Sequence, residues 1–170
     1  LRFPCCEPFY EYATPRWVRD AGAVFHPFET TARSRQWTKD LLGVEIPARC
    51  FAPDYADPVF LARHAQFLRA AAQRYDGNPS VAYLDVGSFG TWGEGHTHLS
   101  CGRRYDAAVK AAHLRMYRDA FRDTLLVVAN LEVRADSELA GKKVRDLRTQ
   151  QRALVIAHER GDGVTFYPDG

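Results

Sequence analysis

Between Val81 and His98 the chain reads VAYLDVGSFGTWGEGHTH, which sets a carboxylic acid, Glu94, between an indole, Trp92, and an imidazole, His96. His98 and Cys101 follow closely, and Gly87, Gly90, Gly93 and Gly95 bend the backbone that carries them. A carboxyl group in such a turn can sit partly desolvated, a setting that suits proton donation. Such an acid can protonate a glycosidic oxygen, so Glu94 is the candidate general acid/base. The competing reading is that Glu94 caps the next segment or pairs with Arg103 or Arg104 in solvent.

The neighbouring side chains suit the same task. Trp92 offers a flat apolar face and an N–H donor to a sugar ring, although tryptophan is also a routine core anchor. Asp85 precedes the glycines on an apolar run, where a buried carboxylate either lines a site or meets an internal partner. Asn130 follows the next apolar run and is placed to contact substrate or to cap a turn. Trp37 lies in an aromatic-rich stretch reaching to Asp57, a form common in substrate-facing loops and in plain surface excursions. His96, His98 and Cys101 also form H-x-H-x-x-C, whose donor types suit zinc; the alternative to a glycosidase is therefore a metal-dependent hydrolase. No second ligand pair accompanies them, so histidines that only hydrogen-bond in a polar loop compete with that reading. Ser88 lacks the G-x-S-x-G setting of a hydrolase nucleophile.

The elements that must position these residues show in start and stop signals. Thr14-Pro15 starts a short helix closed by Gly22, and Ala23 to Phe28 reads as a strand. Asp57-Pro58 starts a helix whose apolar residues, Phe60, His64, Phe67, Leu68, Ala71, Ala72 and Tyr75, recur at helical spacing up to Asp76-Gly77. Tyr105, Ala108, Val109, Ala112, Met116 and Ala120 define another helix. Ser80 to Val86, Thr124 to Ala129 and Val164 to Tyr167 read as strands, and Ser137 caps a helix to about Arg160 with Gly161 behind it. Strands alternating with helices predict an α/β fold with a parallel sheet. With no phosphate-binding glycine motif after any strand, the expectation is a partial (β/α)8 TIM barrel. One such domain spans residues 1–170, and the chain is expected to be a piece of a longer protein, cut at both ends.

The 23 basic and 21 acidic residues leave a net charge of +2, which gives no footprint for nucleic acid or an anionic membrane. No apolar run approaches a membrane span and no signal peptide opens the chain, so localisation stays open. The four cysteines, Cys5, Cys6, Cys50 and Cys101, are too scattered for a disulfide framework and read as thiols. No cofactor is implied.

The stretch from Phe51 to Thr97 resembles the β-galactosidase-like and family-42-like TIM-barrel proteins among bacterial glycoside hydrolases. The resemblance rests on Pro53-Asp54-Tyr55-x-Asp57-Pro58, Arg74-Tyr75-Asp76-Gly77, and Asp85-Val86-Gly87 leading to Gly90-x-Trp92-Gly93-Glu94. It implies that the strand before Gly87 is the fourth of a barrel, that the chain covers about strands two to six, and that Glu94 occupies the acid/base position. It also implies that the nucleophile comes from a seventh strand with no residue here, leaving the chain alone catalytically incomplete. Toward the carboxyl end Phe166-Tyr167-Pro168-Asp169 departs from the family's arginine and aspartates. The expected substrate is a carbohydrate, contacted by Glu94, Trp92, Asp85, His96, His98, Asn130 and Trp37. A carbohydrate-binding barrel without turnover is the remaining alternative.

Overall fold

The computed structural model describes residues 1–128 and the backbone of 157–160 and 163–166. Asn130 and most of the helix expected from Ser137 lie outside the described residues.

Local sequence rules account for the helices. In α3 (Pro58–Tyr75) the Asp57 side chain accepts the Phe60 N–H at 2.8 Å, and proline occupies the first turn, where its missing N–H is harmless. Such a cap contributes about 1 kcal/mol. Phe60, His64, Leu68 and Ala71 form its buried stripe. In α4 (Ala107–Ala120) Asp106 caps the Val109 N–H at 2.9 Å, and the buried residues are His113 and Tyr117. The inward face of α4 is therefore centred on two residues with polar atoms, with Val109, Ala112 and Met116 beside them and Ala108 exposed. Helix α1 (Arg16–Asp20) is a single short turn that buries Val18.

The parallel barrel expected from the sequence is not what the chain forms. Strand β1 (Phe25–Glu29) pairs antiparallel with β2 (Arg49–Pro53), from Phe25 opposite Pro53 to Glu29 opposite Arg49. Between them α2 (Ala32–Leu42) is capped by Thr31 and stopped at Gly43, whose φ of 66° is left-handed. The chain leaves β1 at Glu29 and enters β2 at its partner Arg49, so the helical connection acts as a long hairpin and returns to the same end. A parallel crossover would have to return to the opposite end. Pro27, which has no N–H to give a ladder, is tolerated because, among the described residues, β1 has β2 on one side only.

Strand β3 (Leu84–Asp85) pairs in parallel with β4 (Leu126–Val127), and Arg2 forms a parallel bridge to Asp85. Strands β5 (Ala157–Arg160) and β6 (Gly163–Phe166) pair antiparallel, so the last turn of the expected helix is extended instead. Among the described residues these are three separate two-stranded sheets, and no closing barrel arises from them. No helix among the described residues is long and apolar enough to cross a membrane.

The core has two clusters. One gathers Cys5, Cys6, Phe28, Cys50, Ala52, Tyr55, Phe60 and Phe89 between the β1–β2 pair and the start of α3. The other joins Leu68 and Ala71 of α3 to Leu84, Val86, Tyr117 and Phe121. Burying a side chain such as Phe60 or Leu68 contributes roughly 1.5–3 kcal/mol each. Asp76, at the end of α3, accepts the backbone N–H groups of Arg122, Asp123 and Thr124 at 2.8–3.0 Å and so fixes the turn into β4. That clamp sets the start of β4, and through it the β3 strand that feeds the glycine loop.

Candidate functional site

Hydrogen bonds tie the glycine loop to itself and to the segment that follows it. Thr91 N–H donates to the His96 carbonyl at 2.8 Å, Gly95 N–H to the Phe89 carbonyl at 3.0 Å, and the Thr91 hydroxyl to Ser100 at 2.9 Å. Gly90 has φ 88°, and a Cβ there would fall on the His96 backbone; Gly93 has φ 76°, and a Cβ there would fall on the Gly87 backbone. Only glycine permits both the left-handed angles and the contact.

Trp92 shares that conformation without glycine's freedom. Its φ of 54° and ψ of 10° cost about 1–2 kcal/mol for an L-residue. Two bonds hold it there: its N–H donates to the Cys6 carbonyl at 2.8 Å, and its carbonyl accepts from Arg2 Nη1 at 3.0 Å. Strain of this kind persists where the surroundings over-determine it, and functional sites are where it gathers.

Glu94 follows directly and is partly open, its side chain 38% exposed, with Oε2 3.4 Å from His96 Nε2. His96 is more enclosed, and its Nδ1 is buried without a hydrogen-bond partner. A proton is better carried on Nε2, since a bare acceptor is less costly there than an orphaned N–H. Nε2–H then faces the Glu94 carboxylate. The His98 ring lies 4.1 Å from that of His96, and the Trp92 ring stands edge-on to His96 at 6.5 Å. Trp92, Glu94, His96 and His98 are thus brought together.

The other predicted contacts are placed differently. Asp85 is buried, with Oδ2 held by Arg2 through Nε at 2.8 Å and through Nη2. Trp37 is 58% exposed on α2, whose side-chain bonds run to neighbours between Thr30 and Glu45. Among the described residues no group of three or more His, Cys, Asp or Glu side chains stands close enough to hold a metal, which leaves H-x-H-x-x-C without a coordination site there.

Ser88, set aside in the sequence as a nucleophile, has a partner that the sequence did not indicate. Ser88 Oγ lies 2.8 Å from His113 Nδ1, and His113 Nε2 lies 2.9 Å from the Tyr55 carbonyl. A carbonyl only accepts, so Nε2 carries the proton and Nδ1 accepts from Ser88. The pair has the atoms of a nucleophile and base, but both residues are sealed, at 0% and 1% exposure, so it ties the loop to α4 and to the end of β2. Burial pushes the His113 pKa down to about 4, against a smaller upward pull from the Tyr55 carbonyl. His64, also buried, sits 3.7 Å from the Cys5 thiol through Nδ1. Burial and the neighbouring His113 bring its pKa down to about 3. Burial raises the Cys5 thiol to about 12, so it stays protonated and unreactive.

His26 Nε2, on β1, stands 3.0 Å from Oδ2 of Asp54, the residue after β2, with Arg103 at 3.9 Å from the same oxygen. Burial pulls the Asp54 carboxyl up, but bonds from His26 and the Ala56 N–H outweigh it and leave the group below its ordinary value. Asp54 belongs to the Pro-Asp-Tyr-x-Asp-Pro stretch visible in sequence, whereas nothing local in the sequence links Arg2 to Asp85 or to Trp92.

No protein-family model matches this chain, and no curated protein and no solved structure matches it.

Proposed function

We propose that this protein hydrolyses O-glycosidic bonds, with Glu94 as general acid/base and Trp92 as the stacking face for a sugar ring. The observation that carries the reading is the Trp92–Glu94–His96 group: a part-exposed carboxyl group 3.4 Å from an imidazole, on a turn held by a strained tryptophan. In its acid form Glu94 protonates the departing glycosidic oxygen, and the carboxylate left behind meets Nε2–H of His96, which stabilises the anion at that moment. His98, beside His96, offers a further polar contact to the sugar hydroxyls. The resemblance of the Asp85-to-Glu94 stretch to glycoside hydrolases supports the same assignment.

The stereochemical course follows from a second carboxyl group, about 5–5.5 Å away for retention and roughly 6.5–9.5 Å for inversion. Asp85 is committed to Arg2, so that role falls to another residue. The test is hydrolysis of an aryl β-galactoside by the protein in its natural full-length form. Glu94→Gln should lower turnover by about 10²–10⁴-fold, the range for losing a positioned acid. Turnover equal to that of the unaltered protein removes Glu94 from the chemistry. Sugar binding without turnover in the unaltered protein would make the loop a carbohydrate-binding site only.

A further inference from the structure

We infer that Arg2 is a positioning residue for the Glu94 turn, one guanidinium joining the Asp85 carboxylate to the Trp92 carbonyl. This rests on Glu94 as the reacting group.

The amino-terminal segment runs beside β3, where the Asp85 N–H donates to the Leu1 carbonyl at 2.7 Å and Arg2 bridges to Asp85 in parallel. From there Arg2 gives Nε and Nη2 to Asp85 Oδ2 and Nη1 to the Trp92 carbonyl. Its stem crosses Gly87 so closely that a Cβ at Gly87 would come within 2.6 Å of Arg2 Cγ. A Cβ at Gly93 would in turn fall on the Gly87 backbone. The Arg2 stem leaves no room for a side chain at Gly87, and the Gly87 backbone leaves none at Gly93, which accounts for two of the loop's glycines.

Four residues further along the same segment, the Cys6 carbonyl takes the Trp92 N–H. The peptide groups before and after Trp92 are thus both bound by the stretch from Arg2 to Cys6. A left-handed tryptophan relaxes once either anchor is lost, and its relaxation swings the next turn of backbone, which carries Glu94. Arginine suits the task because a planar fork reaches two acceptors at once, whereas a lysine ammonium is a single point. Arg2 touches backbone and Asp85 and acts through Trp92.

The experiment compares Arg2→Met, Arg2→Lys and Asp85→Asn in the full-length protein. It reads the near-ultraviolet circular dichroism of Trp92, identified by difference from Trp92→Phe, and kcat and KM for an aryl glycoside. The expected result for Arg2→Met is loss of the Trp92 signal, a fall in kcat/KM of roughly 10- to 100-fold, and a raised KM, since the stacking face is misplaced. Arg2→Lys should fail to restore the signal. A merely structural role would scale kcat with the folded fraction and leave both KM and the Trp92 signal as they were, which overturns the proposal. Should Arg2→Met not fold, an unchanged signal and KM in both Arg2→Lys and Asp85→Asn overturn it equally. If Glu94→Gln keeps full turnover while Arg2→Met loses the Trp92 signal, the acid/base assignment falls and the clamp stands.

Discussion

Two histidines locked neutral in the core make the stability of this protein depend on pH in a defined window. In the fold, His64 and His113 have pKa values of about 3 and about 4, against an ordinary 6.5. Below 6.5 the unfolded chain takes up protons that the folded chain refuses, so the unfolded state gains and stability falls. The contribution is complete above pH 6.5 and is lost progressively as pH drops toward the two folded values. Each group costs up to about 1.4 kcal/mol per pH unit inside the window. From pH 7 to pH 4.5 the pair amounts to about 4–5 kcal/mol, a large part of the roughly 5–15 kcal/mol available to a small domain.

The assay is urea unfolding followed by circular dichroism at half-unit steps from pH 7.5 to 4.5. His64→Phe isolates one share. His64 already stacks on Phe60, with rings 5.8 Å apart at 16°, and its Nε2 is buried without a partner, so phenylalanine fits the site chemically. That variant should be at least as stable as the natural protein at pH 7.5 and show about half the slope below pH 6.5. A stability profile flat to within about 1 kcal/mol between pH 7 and 5 would refute the argument, as would imidazole signals of His64 and His113 titrating near their unfolded value.

Asp76→Ala removes the acceptor of three backbone N–H groups and should cost about 1–3 kcal/mol in urea unfolding at pH 7. Burial pulls the Asp76 carboxyl up, but the amides of Arg122, Thr124 and Asp123 hold it below its ordinary 3.8, so its contribution is present above that pH and lost beneath it. The variant should accordingly lose less stability than the natural protein on acidification below pH 4. Gly93→Ala places a side chain at φ 76° against the Gly87 backbone and should cost about 1–3 kcal/mol from conformation alone, read as a lowered melting temperature. An unchanged melting temperature there would mean the loop is not packed as described.

What the sequence made legible was local. The Asp57-Pro58 signal and the stripe from Phe60 to Ala71 define α3 because capping and helical periodicity act within a few residues. The cluster Trp92, Glu94, His96 and His98 was equally visible, since one loop carries all four. Strand β2 was hidden because Arg49–Pro53 is five residues with a proline at its end, inside a stretch without alternation. Helix α2 had its signals in Thr31 and Gly43, but an exposed helix with little apolar stripe gives weak periodicity. Whether β1 and β2 run parallel depends on which end the chain returns to, which no local pattern records; Pro27 was the hint that β1 lies at an edge. The neutral state of His113 and the tie from Arg2 to Trp92 depend on residues 58 and 90 positions apart, so only the folded chain discloses them.

The acid role of Glu94 is tested most directly by its dependence on the leaving group. Proton donation matters greatly for a glycoside with a poor leaving group and hardly at all for one whose phenol departs unaided. Glu94→Gln in the full-length protein should therefore lower kcat/KM by about 10²-fold or more on a phenyl glycoside and by less than about tenfold on the dinitrophenyl analogue. Equal losses on the two substrates, or none on either, would contradict the assignment.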